Sequence, residues 1–367
     1  MPLEKLVTFL EDVFEAEDSL PADADPESLS IDFFSPLTVE SSRPQLHPNL
    51  IRKLSKLISQ VARPVKRLRT STAIKRSPAP CSIADIETSM LSRILKILER
   101  SVRAGEDLDP FKANRPAETR SLASPGKKGK VSKKLGSHRR SQTPVGDDEP
   151  RLGADIGAAE PTAVIDADLD ALAHTLEVAR DSILAADCCI ALLGADRLSK
   201  QVYSEELITA CLGAVKNQLE RIVYPFVEGS DTSALLQQVS KHEKIHRAQI
   251  AEVFQVLTSV LPRINNLFCA DTVAMSDSII IQGVFIAIGP FFVTEVGTFD
   301  GKGKKESFVL NTLGQTAMRG LRLEALSLIR SVSRLVPCLS GCFEVSCRYL
   351  QIMMTNARGS LKRFSAP

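Results

Sequence analysis

Two histidines and one glutamate lie at a spacing that could bind a catalytic zinc ion. His242, Glu243 and His246 form the pattern H-E-x-x-H within the hexapeptide KHEKIH. On a helix, residues four positions apart share one face, so both imidazoles could bind the metal while the glutamate activates a water molecule. The pattern therefore raises the hypothesis of a zinc-dependent peptidase.

The residues around this pattern argue against a zinc site. A catalytic zinc needs a third protein ligand, yet Gln249 and Glu252 occupy the positions where the longer motif has glycine and histidine. Lys244 would place a cation beside the metal. A glutamate could also be the third ligand, but the first glutamate after Glu252 is Glu295. We interpret the match as a coincidence on the polar, outward side of a repeat helix, and we predict no cofactor. If His246 were buried instead, it would need a hydrogen-bond partner.

The elements that would position any such site are predicted to be helices. The 367-residue chain is 44% hydrophobic but only 5% aromatic, and it has no tryptophan. Its many Leu, Ile and Ala residues favour helices over a β-sandwich. The most apolar run, residues 279–293, is too short to cross a bilayer and contains Pro290, so we predict a buried helix and no membrane anchor. The acidic N-terminus does not resemble a signal peptide, so we expect reduced cysteines.

Residues 1–110 combine short amphipathic helices with acidic, polar segments. The first 35 residues contain ten acidic residues and a single basic one. Because the flanking linkers are so polar, we favour a partner-binding segment that lays apolar side chains into a groove. Packing of the same helices back onto this chain is the alternative. The candidate partner-binding residues are Leu6, Leu10, Phe14, Phe33, Phe34, Leu54, Ile58, Ile94 and Leu98.

Two basic clusters stand in segments that are rich in Pro, Ser, Gly and Lys. Residues 115–140 contain nine basic residues and one acidic residue, and we predict a disordered basic linker over 111–160. Such clusters are typical of nuclear import or of salt-sensitive contact with DNA phosphates, while simple solvation of a linker is the alternative. The candidate residues are Lys66, Arg67, Arg69, Lys75, Arg76, Lys127, Lys128, Lys133, Lys134, Arg139 and Arg140.

Residues 161–335 show a succession of apolar stripes at helical spacing. We predict an all-α protein in which a HEAT-type α-solenoid begins over about 161–335, preceded by a largely disordered N-terminal region with short amphipathic helices. An irregular helical bundle is the alternative. One helix is predicted before this region, over about 82–105. Within it, the predicted helices span about 169–193, 204–225, 232–261, 276–289 and 306–335, with Ser204 as an N-cap and Pro225 as an end.

Several ordered motifs in this region resemble one protein family. The segment 185–225 closely resembles the opening of the HEAT domain in the Nipped-B, or adherin, family of cohesin-loading proteins. The segments 286–297 and 321–329 are similar to the next landmark of that family, and the acidic head is similar to that of fungal members. The matching residues in the first segment are Lys200, Val202, Tyr203, Glu205, Glu206, Ile208, Gln218, Leu219, Tyr224 and Pro225.

The resemblance implies a nuclear scaffold without catalytic chemistry. Members of the family load the ring-shaped cohesin complex onto chromatin and stimulate its ATPase, and they are not themselves enzymes. Their N-terminal segment is threaded through a partner subunit built of tetratricopeptide repeats. The implied partners are therefore that loader subunit, the cohesin complex and chromatin DNA without sequence preference, and no membrane.

The end of the chain departs from the family pattern. We expect a further long helix and more repeats after residue 333, but residues 336–367 match nothing in the family. We interpret this tail as atypical, from a truncated or misjoined reading frame, so that the chain corresponds to the N-terminal portion of a loader. A generic helical-repeat scaffold with a basic DNA-binding tail is one alternative, and the zinc peptidase is the other.

Overall fold

The described part of the computed structural model consists almost entirely of helices. The structure describes residues 2–20, 33–35, 44–61, 82–111, 161–195, 197–228, 239, 244–270, 275–293, 312–314 and 316–335. The helices are α1 (Pro2–Asp18), α2 (Pro48–Val61), α3 (Thr88–Ala104), α4 (Pro161–Leu193), α5 (Glu205–Gln218), α6 (Tyr224–Glu228), α7 (Lys244–Cys269), α8 (Asp277–Ile288) and α9 (Ala317–Leu335).

One small ribbon accompanies the helices. The strands β1 (Phe34–Ser35) and β2 (Gln45–Leu46) pair antiparallel, with Phe34 opposite Leu46. Both of these side chains are buried, so the ribbon closes over the apolar side of the N-terminal helices. Apart from this ribbon, the described residues confirm the predicted all-α class.

Helix α4 is the centre of the packing. It contacts α2 and α3 from the N-terminal part of the chain, and α5 and α7 from the part that follows. Helix α7 also contacts α9, while α5 contacts α8, which in turn contacts α9. The helices α4, α7 and α9 thus form one row and α5 with α8 a second, as in a solenoid of stacked helix pairs.

The middle of α4 is buried on every side. Residues 185–190, with the sequence AADCCI, are all buried, as expected for a helix with neighbours on all faces. The Cys188 thiol lies 3.6 Å from the Ile51 carbonyl oxygen of α2. Burial raises the pKa of the Cys188 and Cys189 thiols well above their ordinary value, so both stay protonated and act as small apolar residues.

Local capping signals place several helix ends where the sequence predicts them. The Ser204 hydroxyl accepts a hydrogen bond from the Leu207 amide at 3.2 Å and caps α5. Gly105 follows the last residue of α3, as predicted. The capping box of Ser82 and Asp85 is present, but it opens a 3₁₀ turn, and α3 itself begins only at Thr88.

Pro225 does not end its helix as the sequence predicted, and the helix predicted over 232–261 continues through Pro262. At Pro225 the chain widens into a π-helical turn, Leu219–Val223, in which the Tyr224 amide donates to the Leu219 carbonyl, and the helix then continues as α6. A longer hydrogen-bonded turn accommodates the missing proline amide. Helix α7 likewise runs through Pro262, because its flanking turns are buried between α4 and α9.

Candidate functional site

The candidate partner-binding residues lie in the hydrophobic core of this chain. Eight of them are buried and Phe33 is half-buried. Three come from α1, two from the segment of the ribbon, two from α2 and two from α3. In this structure these residues pack onto the same chain, which is the alternative that the sequence left open. Binding of a partner through these residues stays a prediction, and it would require them to leave the core.

Charged side chains hold α1 against α3. Arg93 bonds to both Glu17, at 3.0 Å, and Asp18, and Arg100 binds Glu17 at 2.7 Å. The Arg93 guanidinium also lies over the Phe14 ring, 4.7 Å from its centroid. The hydrogen bond from Arg93 lowers the pKa of Asp18. The acidic end of α1, which the sequence assigned to partner binding, is thus neutralised by arginines of the same chain.

A second polar cluster joins α2 to the repeat helices α4 and α7. The Ser55 hydroxyl donates to Asp187 at 3.1 Å, and Arg263 lies 3.5 Å from the other carboxylate oxygen of Asp187. Arg263 also donates to the Ser59 hydroxyl at 2.7 Å. Burial raises the pKa of Asp187, against the opposing effect of Arg263. The N-terminal helices are therefore fixed to the repeat helices by specific bonds as well as by apolar contact.

The H-E-x-x-H pattern does not lie on one described helix face. His242 and Glu243 are outside the described residues, and α7 begins at Lys244. His246 is 7% exposed, and its Nδ1 atom lies 3.2 Å from the amide oxygen of Gln249. The expectation of an outward-facing surface was wrong for His246, because its turn of α7 packs inward. No group of three potential metal ligands occurs among the described residues.

The basic candidate residues cannot be placed in this fold. All eleven belong to 62–81 or 112–150, which lie outside the described residues. Nuclear import and DNA contact through them stay predictions. Of the helices that are described, none has both the length and the apolar character needed to cross a membrane.

The sequence did not predict four exposed apolar side chains in α8, in the turn that follows it and in α9. Four large apolar side chains are exposed in the described part of the chain: Ile281 (39%), Phe285 (47%), Phe292 (56%) and Leu323 (46%). The run 279–293 was predicted to be a buried helix, and that expectation was wrong for Ile281, Phe285 and Phe292. A helix that is apolar around its whole circumference is typically buried, so the sequence offered no signal for these exposed side chains.

One solved structure is similar to this chain. No protein-family model and no curated protein matches the chain. The similar structure is the Chaetomium thermophilum cohesin loader SCC2, C-terminal fragment, with a TM-score of 0.56 and 17% sequence identity. The match covers 92% of this chain and 19% of that chain, so this chain spans about a fifth of the length of the matched structure.

This similarity bears on the fold. The match covers 92% of this chain, and residues 161–335 make up a much smaller share of it. The matched region therefore includes N-terminal residues as well. The helical-repeat architecture that the sequence predicted is therefore confirmed. The sequence motifs indicated the N-terminal portion of a loader, whereas the matched structure is titled a C-terminal fragment.

Proposed function

We propose that this chain is a non-catalytic, helical-repeat subunit of a cohesin loader, which acts in the nucleus to promote loading of cohesin onto chromatin. The observation that carries the proposal is the fold similarity to a cohesin loader over 92% of the chain. The ordered family motifs in residues 185–225, 286–297 and 321–329 support the same assignment.

The packing supports a role as a binding scaffold. In the described residues, Arg93, Arg100 and Arg263 each join one helix to another. Stacked helix pairs of this kind present long surfaces to other macromolecules. The partners in this proposal are the cohesin complex, the tetratricopeptide-repeat loader subunit and DNA phosphates.

The position of the chain within a loader is part of the proposal. Its family motifs are those of the opening of the HEAT domain, so we assign it to the N-terminal portion. The bonds of Glu17, Ser55 and Asp187 support a continuous unit in which the N-terminal helices extend the solenoid. In this arrangement the loader subunit would bind the N-terminal segment only after that segment leaves the core.

A loading assay with purified components tests the proposal. The full chain is incubated with cohesin, the tetratricopeptide-repeat subunit, ATP and closed circular DNA. We expect faster ATP hydrolysis by cohesin, and cohesin that stays on circular DNA in high salt but is released when the DNA is cut. If the chain binds neither protein complex and has no effect on either readout, the proposal fails. DNA binding without protein binding would favour the generic scaffold with a basic tail.

Lysine substitutions separate the DNA contribution from the protein contribution. Replacing Lys127, Lys128, Lys133 and Lys134 with glutamine should weaken DNA binding and flatten its dependence on salt, because fewer counterions are released. Binding to cohesin should stay unchanged. The matched control replaces four exposed lysines of the described helices, Lys5, Lys53, Lys56 and Lys96, with glutamine. Equal loss of DNA binding in both variants would contradict a specific role for the linker.

A further inference from the structure

The outward side of α9 carries a stripe of arginines around one leucine. Arg319, Leu323, Arg330 and Arg334 are all exposed, and their spacing of four, seven and four residues keeps them within one narrow sector of the helix. The opposite side of α9 is buried through residues such as Leu321 and Leu328. We call these four residues the arginine stripe. It is about 22 Å long at the rise of an α-helix.

The positive charge of the arginine stripe is not neutralised within the described structure. In the described ranges, no acidic side chain pairs with Arg319, Arg330 or Arg334. The single acidic residue of α9 is Glu324. It is rotated about the helix axis by at least a fifth of a turn from every member of the arginine stripe. By contrast, Arg322 donates to the carbonyl oxygens of Pro290 and Val293, at 3.1 and 3.0 Å. The stripe therefore differs from the arginines that this fold uses for packing.

Exposed apolar side chains border the same surface. The bonds of Arg322 to Pro290 and Val293 hold the turn that contains Phe292 against α9 at Arg322, which lies between Arg319 and Leu323 along the chain. Phe292 is 56% exposed and Leu323, inside the stripe, is 46% exposed. Exposed aromatic residues and arginines together are the composition that protein interfaces favour over ordinary surface.

Charge and shape together select the kind of partner. A stripe about 22 Å long matches about four turns of a helix laid along it. The three cations require acidic groups opposite them, while Leu323 and Phe292 require an apolar side chain. A nucleic acid would satisfy the arginines, but its phosphates would leave Leu323 in the middle of the stripe without an apolar contact.

We propose that the arginine stripe, together with Phe292, binds an amphipathic helix of a partner protein that carries acidic residues beside an apolar anchor. The helix lies along α9 with its carboxylates near Arg319, Arg330 and Arg334 and its apolar side chain over Leu323. This binding site is separate from the proposed cohesin-loader assignment, and it would stand if that assignment failed.

A designed peptide tests this inference on the full chain. The probe is a fluorescent 20-residue helix with leucines along one face and glutamates beside them, and the control peptide has lysine in place of every glutamate. Binding is followed by fluorescence anisotropy at two salt concentrations. We expect the glutamate peptide to bind, more weakly at high salt, and the lysine peptide to bind at least about tenfold more weakly, since like charges then face each other.

Variants locate the binding to α9. The double variant Arg330→Glu and Arg334→Glu should weaken binding of the glutamate peptide about tenfold, because each exposed charge contributes a few-fold. Lysine at both positions should largely restore it. The variant Leu323→Asp should also lose binding, and Lys96→Glu on the distant helix α3 is the matched control. Circular dichroism verifies that each variant keeps its helices.

Four results would overturn the inference. The first is wild-type affinity in the double glutamate variant. The second is equal binding of the lysine peptide, which would indicate apolar attraction alone. The third is a duplex DNA of 20 base pairs that binds the stripe, displaces the glutamate peptide and is unaffected by Leu323→Asp, which would assign this surface to nucleic acid. A concentration-dependent dimer that Leu323→Asp abolishes would count against the inference in the same way, since the partner would then be a second copy.

Discussion

The N-terminal helices α1–α3 and the helix pair α8–α9 differ in what covers their apolar residues. In α1–α3 the apolar stripes are buried, with α1 packed on α2, and α2 and α3 packed on α4, while arginines bind acidic side chains at the edge. In α8–α9 Ile281, Phe285 and Leu323 stay exposed, although Lys216 of α5 lies over the Phe285 ring, 4.7 Å from its centroid. The sequence favoured partner binding for the first region, with packing on the same chain as the alternative, and it predicted a buried helix over 279–293 in the second. An amphipathic stripe therefore shows that a helix needs a partner, but not whether the same chain provides it.

Truncating one leucine in each region gives the largest expected contrast. Leu98→Ala on α3 removes a fully buried side chain and should lower the free energy of unfolding by about 2–5 kcal/mol. The same change at the exposed Leu323 of α9 should alter it by less than about 0.5 kcal/mol. Urea denaturation followed by circular dichroism measures both. Similar losses in the two variants would show that Leu323 is covered in solution.

Gly105 tests how tightly α3 packs on α4, and Gly320 of α9 is the comparison. A methyl group at Gly105 would overlap the Ser182 side chain and lie 3.0 Å from Gln218, so Gly105→Ala should destabilise the fold by about 1–3 kcal/mol. Gly320, inside α9, has open space around it, and Gly320→Ala should stabilise the protein by about 0.5–1 kcal/mol. Thermal unfolding compares the pair. A stability gain in Gly105→Ala would mean that α3 does not pack on α4 as described.

A single acidic residue tests whether the N-terminal segment must leave the core to meet a partner. Glu17→Gln weakens the bonds to Arg93 and Arg100 and should cost about 1 kcal/mol, because these groups are only partly exposed. If the proposed loader subunit captures the released segment, its affinity for this variant should rise a few-fold. The control is the exposed Glu15→Gln. Weaker binding of the subunit to Glu17→Gln, measured by calorimetry, would contradict this order of events.

Part of the candidate site could be predicted from the sequence. Periodicity and caps predicted the helices around Ser204 and Gly105, and they identified Leu6, Leu54 and Ile94 as residues that must be covered. They did not show which surface covers them, because that depends on contacts between residues far apart in the chain. The arginine stripe could have been found from the spacing of Arg319, Arg330 and Arg334, but its exposure required the packing of α9 on α7 and α8.

Helical periodicity and capping are properties of neighbouring residues, so a succession of amphipathic helices can be predicted from the sequence alone. Packing between distant parts of the chain places α1–α3 in the core and buries His246, and it leaves Ile281 and Phe285 of α8 and the arginine stripe of α9 exposed. It also decided that the chain remains helical at Pro225 and Pro262, because burial of the surrounding turns outweighs the cost of a missing amide. The physical reason is the same in each case: burial is a property of two surfaces that meet, and a local sequence describes only one of them.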